Sequence, residues 1–568
     1  MGNNAAVVSK PKKRKHGFDF WVIVSLIIII ICLIFIVYPF LTLIIESFQK
    51  VDDGVRVFTF ENYLKFFTKK YYTDALLHSL LISTVVTILA TLLGVPLAYL
   101  GARFNLYGKP VIKIMIVLSM LSPPFIGAYT WITLLGRNGF VTQWLNSIGV
   151  QFGSIYGLGG ILLVFTLKLY PMVYMYVSGA LTTIDHSLEE ASENLGISGF
   201  RRIMKVTLPV ISPTIFSAML MVFMTSLADF GTPALIGQGY TTLPVVIYNE
   251  FLNEVGTDTG FASALSVMIV LIALAVLIVQ KRVVDRRSYN MTSLRPPKPI
   301  ELAWPKKLLA TLAVFIVSFL SVLPQIMVTI QSFVATNRSK FLWGQWSLDS
   351  YNAVWKKLAN SIGNTFLYAG IAMVITIVIS LLGSYLIVRR KSARSDFIDL
   401  MLMFPYVIPG AVLGICLISA FNEGIFKSGF MVLTGTMWIV IIGLIIRKLP
   451  YTMRSSVGIL YQIDKSVEEA SISLGYSQAA TFFKTTVPLM LPGVISGGIL
   501  SFVTMINTLS ATLITYTGKT ITMSVAIYNQ LTNDAFGQAS ALATLLTLAT
   551  VLSLVVFNIV TKGKGSFV

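Results

Sequence analysis

Charge is the scarcest property of this 568-residue chain: 12% of its residues are Asp, Glu, Lys or Arg, against 55% hydrophobic. Soluble domains carry roughly 25% charged residues, so a water-soluble globular protein is excluded and an integral membrane protein is indicated. Cysteine is nearly absent. Cys32 and Cys416 both lie in apolar runs, which excludes a disulfide framework and a Cys/His metal site. A nucleotide-binding P-loop, G-x-x-x-x-G-K-[ST], is also missing. Its nearest look-alike, Gly518-Lys519-Thr520, has Leu513 where the first glycine is needed. No loop gathers paired catalytic carboxylates, metal ligands or a nucleophile with its base, which argues against a membrane enzyme.

What the chain does have is apolar runs of membrane-spanning length. About 20 apolar residues cross a bilayer as a helix, and twelve such runs are predicted: 20–46, 76–100, 111–135, 158–182, 210–236, 261–280, 308–332, 362–388, 398–420, 430–449, 489–515 and 538–560. The fold class is therefore all-α. The first run is too long for a signal-peptide core and no A-x-A site follows it, so it reads as an uncleaved helix after a basic tail at 1–19. Lys and Arg concentrate in alternate loops, at 12–15, in Arg201, Arg202 and Lys205, in the 281–307 linker and in the run RRKSAR at 389–394. By the positive-inside rule both termini, including the tail at 561–568, are cytoplasmic. The formal net charge of +19 is then a topology signal and not a nucleic-acid face.

The chain also repeats itself. From Glu189 it reads EEASENLGISGFRRIMKVTLPVISP, and from Glu468 it reads EEASISLGYSQAATFFKTTVPLMLPG. The copies are in register, Gly196 with Gly475 and Pro209 with Pro488. Six spans per half make the repeat parallel, giving a first half at 20–280 and a second at 308–560, joined by the linker. The duplicated loops occupy 185–209 and 464–488. Ser187-Leu-Glu-Glu190 and Ser466-Val-Glu-Glu469 fit the capping-box pattern that starts a helix. Gly196 and Gly475 would end it, and the prolines mark where the next span begins. Two in-register copies suggest a twofold docking platform for a soluble partner.

The pattern Glu190-Ala191-Ser192 … Gly196 … Pro209, matched by Glu469-Ala470-Ser471 … Gly475 … Pro488, resembles the EAA loop of binding-protein-dependent ABC importer permeases. It departs mildly, with serine at the third position and polar Thr485 where the family prefers an aliphatic residue. The resemblance covers both halves and implies the type I ABC importer permease fold. It implies that Glu189, Glu190, Ala191, Ser192, Gly196 and Pro209, with Glu468, Glu469, Ala470, Ser471, Gly475 and Pro488, dock two copies of an ATPase subunit. It further implies ATP and Mg in those partners and no cofactor on this chain, an extracytoplasmic binding protein, residence in a bacterial-type inner membrane, and import by alternating access. Among fused two-half permeases the closest resemblance is to the ferric-iron and aminoethylphosphonate branch, carried by the segment ADFGTPALIG at 228–237. Ferric iron is the favoured solute, with a phosphonate, thiamine or another small solute as alternatives. An ion-coupled secondary transporter is the rival class, but it has no use for a repeated docking loop.

Pathway candidates are few. Lys168 and Arg447-Lys448 stand inside apolar runs, where a charge costs at least about 3 kcal/mol unless it faces a cavity or a partner. The repeat offset aligns Lys168 with Arg447 and Asp229 with Thr508. Asp229 could pair with a base or line the pore. Pro123 and Pro124, and Pro405 and Pro409, break the third span of each half and could form a gate or hinge. Hard oxygen ligands suit Fe3+, and the residues at membrane level are Asp229, Tyr170, Tyr174, Tyr176 and His78. No metal-binding set is assigned.

Overall fold

The computed structural model describes residues 20–52, 55–137, 139–150, 153–252, 259–285, 299–337 and 340–560. The expected tails at 1–19 and 561–568 and residues 286–298 of the linker lie outside them. In the first half the helices used below are α1 (Phe20–Ser47), α2 (Glu61–Thr68), α3 (Lys70–Arg103), α4 (Lys109–Leu121), α5 (Pro124–Leu135) and α6 (Leu158–Thr182). They continue as α7 (His186–Asn194), α8 (Leu208–Ala228), α9 (Gly231–Ile236), α10 (Leu243–Phe251) and α11 (Thr259–Asp285). The second half repeats the order. It has α12 (Trp304–Ser332), α13 (Asp349–Lys357), α14 (Ala359–Arg389), α15 (Ala393–Met403), α16 (Gly410–Phe421) and α17 (Met437–Gln462). Then follow α18 (Lys465–Ser473), α19 (Val487–Ile506), α20 (Thr512–Thr515), α21 (Met523–Thr532) and α22 (Phe536–Val560).

Among the described residues ten helices are long and apolar enough to cross a membrane, eleven when Lys109–Leu121 and Phe125–Ser147, bent by 104°, are counted together as one span. Twelve spans were expected. The twelfth, α17, has the length but carries Arg447, Lys448 and Arg454. It also corrects a boundary: the expected span 430–449 is in fact Met437–Gln462, so the basic pair lies inside the helix and not at its end. The third span of the second half is likewise broken, into α15, a 3-10 turn at Phe404–Tyr406, and α16.

The prolines of the repeated loops do not start a helix. In both halves the chain is already helical and passes through a single π turn, Ile203–Thr207 or Phe482–Thr486, two residues before the proline. Proline has no N–H and its ring crowds the carbonyl four residues back. A wider i→i+5 turn, with Leu208 N–H on the Ile203 carbonyl and Val487 N–H on that of Phe482, admits the ring without ending the helix.

Each half lends its first helix to the other. Trp21, Val24, Ile28, Cys32 and Ile36 form a buried stripe at helical spacing, while Ile23, Leu26, Ile27 and Ile30 face outward as apolar side chains do in lipid. The stripe packs on the second half: Trp21 stacks on Tyr385 at 4.2 Å and Tyr38 Oη donates to the Ala420 carbonyl at 3.3 Å. Reciprocally, Ser321 Oγ of α12 donates to the Leu167 carbonyl at 2.7 Å and Gln331 Nε2 to Thr133 Oγ1 at 2.9 Å. The halves are interlocked. An antiparallel hairpin follows each first helix, β1 (Gln49–Asp52) with β2 (Val55–Phe58) and β3 (Val334–Asn337) with β4 (Lys340–Trp346). The all-α expectation omitted both.

Candidate functional site

The duplicated loops form the short helices α7 and α18. Their caps are not the expected serines. Asp185 and Asp464 accept the backbone N–H of Ser187 and Ser466 at 2.9 and 2.8 Å, which places those serines in the first turn. A carboxylate is the stronger acceptor and it stands one residue ahead of the helix, where capping geometry is met. Hydrogen bonds from the Ser466 backbone and side chain, with Arg389 nearby, hold the Asp464 carboxyl below its ordinary 3.8. The glycine exits match the expectation in geometry. Gly196 has φ +75° and Gly475 has φ +93°. Ile197 N–H reaches the Ser192 carbonyl at 2.8 Å and Gly196 N–H that of Glu193 at 2.9 Å, a Schellman motif, and Tyr476 and Gly475 repeat it. No atom lies within 4 Å of an added Cβ at either glycine, so backbone conformation alone requires them.

The residues expected to dock together divide into two faces. Glu190, Ala191, Glu469, Ala470, Pro209 and Pro488 are exposed, as are both glycines. Beside them Leu195 and Leu474, the leucines just before the glycines, are 79% and 80% exposed. Ser192, Ser471 and Glu468 instead face the protein. Ser471 Oγ lies 3.1 Å from Thr481 Oγ1 and accepts from Thr485 Oγ1 at 3.3 Å. Thr485, the polar departure from the family pattern, thus ties α18 to the helix that follows it. Glu468 accepts from Arg389 Nε at 3.0 Å and from Tyr385 Oη at 3.2 Å, and Arg389 also bonds the Ile463 carbonyl at 2.6 Å. It anchors α18 to the end of α14, with its carboxylate turned toward the protein. Tyr99 and Arg103 repeat the Tyr-x-x-x-Arg spacing at the end of α3; the side chain of Glu189 lies outside the described residues.

Mid-bundle, the two halves differ. Lys168, eleventh of the 25 residues of α6, forms a 2.9 Å ion pair with Asp229, and the side chains are 14% and 6% exposed. The other Asp229 oxygen accepts the Thr232 N–H at 3.0 Å, capping the break between α8 and α9. Arg447 instead donates to the Ile408 carbonyl, which the break before Pro409 leaves free. Lys448 sits over the Tyr451 ring at 5.6 Å. The corresponding break before Pro123 and Pro124 exposes the Leu121 carbonyl, and Asn507 of the other half fills it at 3.1 Å. Freed backbone acceptors at membrane depth need such donors. Asn507 was missed because its counterpart is Ala228, so no echo marked it.

The oxygen-ligand candidates do not converge. Asp229 is taken by Lys168. Tyr170 is fully buried and Tyr174 nearly so. His78 Nδ1 lies 3.0 Å from the Thr241 carbonyl and its ring stacks on Tyr240 at 3.7 Å. Tyr176 Oη is 2.7 Å from Met221 Sδ. Among the described residues no group of three or more His, Cys, Asp or Glu is placed to hold a metal ion. Two tyrosines, one from each half, do come to a shared residue: Tyr248 and Tyr528 both pack on Phe230, at 4.5 and 5.9 Å between ring centroids. Their signal was the Ile-Tyr-Asn triplet repeated at 247–249 and 527–529.

Two parallel halves with exchanged first helices, and a capped helix with a glycine exit between the fourth and fifth spans of each, define a class: a two-half transport permease. The family described as binding-protein-dependent transport system inner membrane component matches at residues 90–289 and again at 378–563, and the chain belongs to it: it is the membrane permease of an ABC importer. A ferric transport system permease of Actinobacillus pleuropneumoniae is 29% identical over 96% of this chain and 79% of its own. A putative ferric transport system permease of Haemophilus influenzae is 30% identical over 91% of this chain and 81% of its own. A bacterial alginate ABC transporter solved with a pentasaccharide-bound periplasmic protein superposes on 48% of this chain and 96% of its own, with 18% identity and a TM-score of 0.40.

Proposed function

We propose that this permease imports ferric iron handed over by an extracytoplasmic binding protein, driven by two copies of a separate ATPase subunit that carry the ATP and Mg. The observation that supports the solute is a likeness to permeases named for ferric transport that extends over 96% of this chain, across both halves and their junction. On this reading α7 and α18 each engage one ATPase through Glu190 or Glu469, the exposed Leu195 or Leu474 and the glycine turn. Both termini are cytoplasmic, on the same side as the docking helices. The solute passes between α6, α8 and α9 of one half and α17, α19 and α20 of the other. Lys168, Asp229, Arg447 and Lys448 border that passage. The breaks at Pro123, Pro124, Pro405 and Pro409 form its hinges, with their free carbonyls held by Asn507 and Arg447. The test is uptake of radioactive iron into proteoliposomes holding the permease with its ATPase and iron-loaded binding protein. ATP-dependent iron accumulation is the expected result. Hydrolysis stimulated by a phosphonate or thiamine, and not by iron, would overturn the solute assignment.

A further inference from the structure

The charges at mid-bundle do not balance. In the first half Lys168 has its counter-ion built in, with Asp229 at 2.9 Å. In the second half the position equivalent to Asp229 is Thr508, whose hydroxyl turns back to the Thr504 carbonyl at 2.8 Å. The position equivalent to Lys168 is Arg447, and a further cation, Lys448, follows it. So the second half has lost one acid and gained one base. Among the described residues neither Arg447 nor Lys448 has a carboxylate within the 4.0 Å of an ion pair. Arg447 has a backbone carbonyl and Lys448 an aromatic face. The groups beside Arg447 are phenols, Tyr451 and Tyr406, with rings 6.0 Å apart, and Tyr176 of the first half, its hydroxyl on Met221, lies next to those two.

An unpaired ammonium and guanidinium at membrane depth are tolerated only where a cavity, water or a counter-ion receives them. Guanidinium, ammonium and phenol hydroxyl are all hydrogen-bond donors, and an array of donors with two net positive charges matches an oxyanion. A bare cation would be repelled. We infer that Arg447, Lys448, Tyr451 and Tyr406 form an oxyanion-binding station bordered by Tyr176 of the first half, with the cargo supplying the counter-charge that Thr508 does not. This rests on the proposed passage between the halves and narrows its cargo. The oxyanion travels either as a co-ligand of ferric iron or as the free solute, and both present the same oxygens to the same donors.

The assembled permease–ATPase complex in nanodiscs is titrated with radiolabelled inorganic phosphate, and the same complex in proteoliposomes is assayed with doubly labelled iron and phosphate. Wild type should bind phosphate. Lys448→Gln should lose at least tenfold in affinity. Thr508→Asp, which restores to the second half the acid that the first possesses, should lose as much, and the size-matched Thr508→Asn should not. Lys448→Arg should recover most of the binding, which a purely structural role would not produce. Phosphate entering with iron assigns the co-ligand, and phosphate entering without iron assigns the free solute. Absence of phosphate binding by wild type, or equal binding by wild type and Lys448→Gln, overturns the station even if iron is transported. Phosphate bound as described in a complex that moves no iron keeps the station and overturns the ferric assignment.

Discussion

Asp185 and Asp464 cap equivalent helices, and Gly196 and Gly475 end them with φ of +75° and +93°. Upstream, in the helices that lead into those caps, Lys168 meets a carboxylate while its counterpart Arg447 meets a carbonyl. The halves are alike where they leave the bundle and unlike within it. A surface that receives the same partner twice has to be the same twice. A passage crossed by one solute has to work only once, and its two walls are free to divide the labour. The same contrast exists within a single loop: the exposed Glu469 and Leu474 have matching exposed counterparts in Glu190 and Leu195, whereas the inward Thr485 corresponds to Val206.

The comparison breaks most sharply at the ion pair. Asp229→Asn leaves Lys168 charged and without its carboxylate, and removing one partner of a buried pair costs roughly 3–5 kcal/mol. Thr508→Val at the equivalent place should cost under about 1 kcal/mol, the usual net worth of one neutral hydrogen bond. Thermal unfolding in detergent of the two variants, side by side, measures the difference; equal losses would mean that the halves are balanced alike.

The next effect tests whether the anchor is symmetric where the passage is not. Arg389→Met strips Glu468 of its base, at a cost of about 3 kcal/mol for a pair buried to this degree. It should also lower the iron imported per ATP hydrolysed, because α18 is no longer fastened to α14. Arg103→Met should reproduce both effects through the same Tyr-x-x-x-Arg spacing. A silent Arg103 variant would confine the anchor to the second half.

Smaller still is the effect of trimming the exposed leucines. Leu195→Ala and Leu474→Ala should change stability by no more than about 0.5 kcal/mol, as surface substitutions do. Each should nonetheless weaken ATPase capture in a pull-down, and by the same factor. The smallest effect is the pH response of the cap. The folded value of Asp464 lies below 3.8, so its contribution is present above that value and is lost as pH falls through the folded value. The protection of the Ser466 amide, its exchange rate taken relative to that of an unstructured amide at the same pH, should therefore hold steady down to about pH 4 and fall below it. Loss of protection between pH 5 and 7 would assign it to another group.

The repeat was legible because the two loops are polar islands in an apolar chain and keep their glycines and prolines in register. Less was legible where neighbours decide the outcome. The α17 boundary was misread since Arg447 and Lys448 look like the end of an apolar run, although the repeat offset from 158–182 places a helix where Met437–Gln462 stands. The hairpins escaped because four-residue strands such as Gln49–Asp52 and Val55–Phe58 are too short for alternation to register. Capping was assigned one turn feature late, to Ser187 and Ser466, when the acids just ahead of them were the stronger acceptors. The exchange of first helices has no local signature at all. The stripe Trp21, Val24, Ile28, Cys32, Ile36 shows that α1 has a packing face, but not which half it packs against.

The central claim is that each half docks one ATPase through its own glycine-ended helix. Valine at a φ near +75° or +93° is strained by roughly 1–2 kcal/mol or more, and neither site offers another reason for glycine. Native mass spectrometry of complexes purified by a tag on the permease counts the ATPases retained. The account predicts two on the wild type, one on Gly196→Val, one on Gly475→Val and none on the double variant. Two ATPases on the double variant, correctly inserted in the membrane, would contradict it.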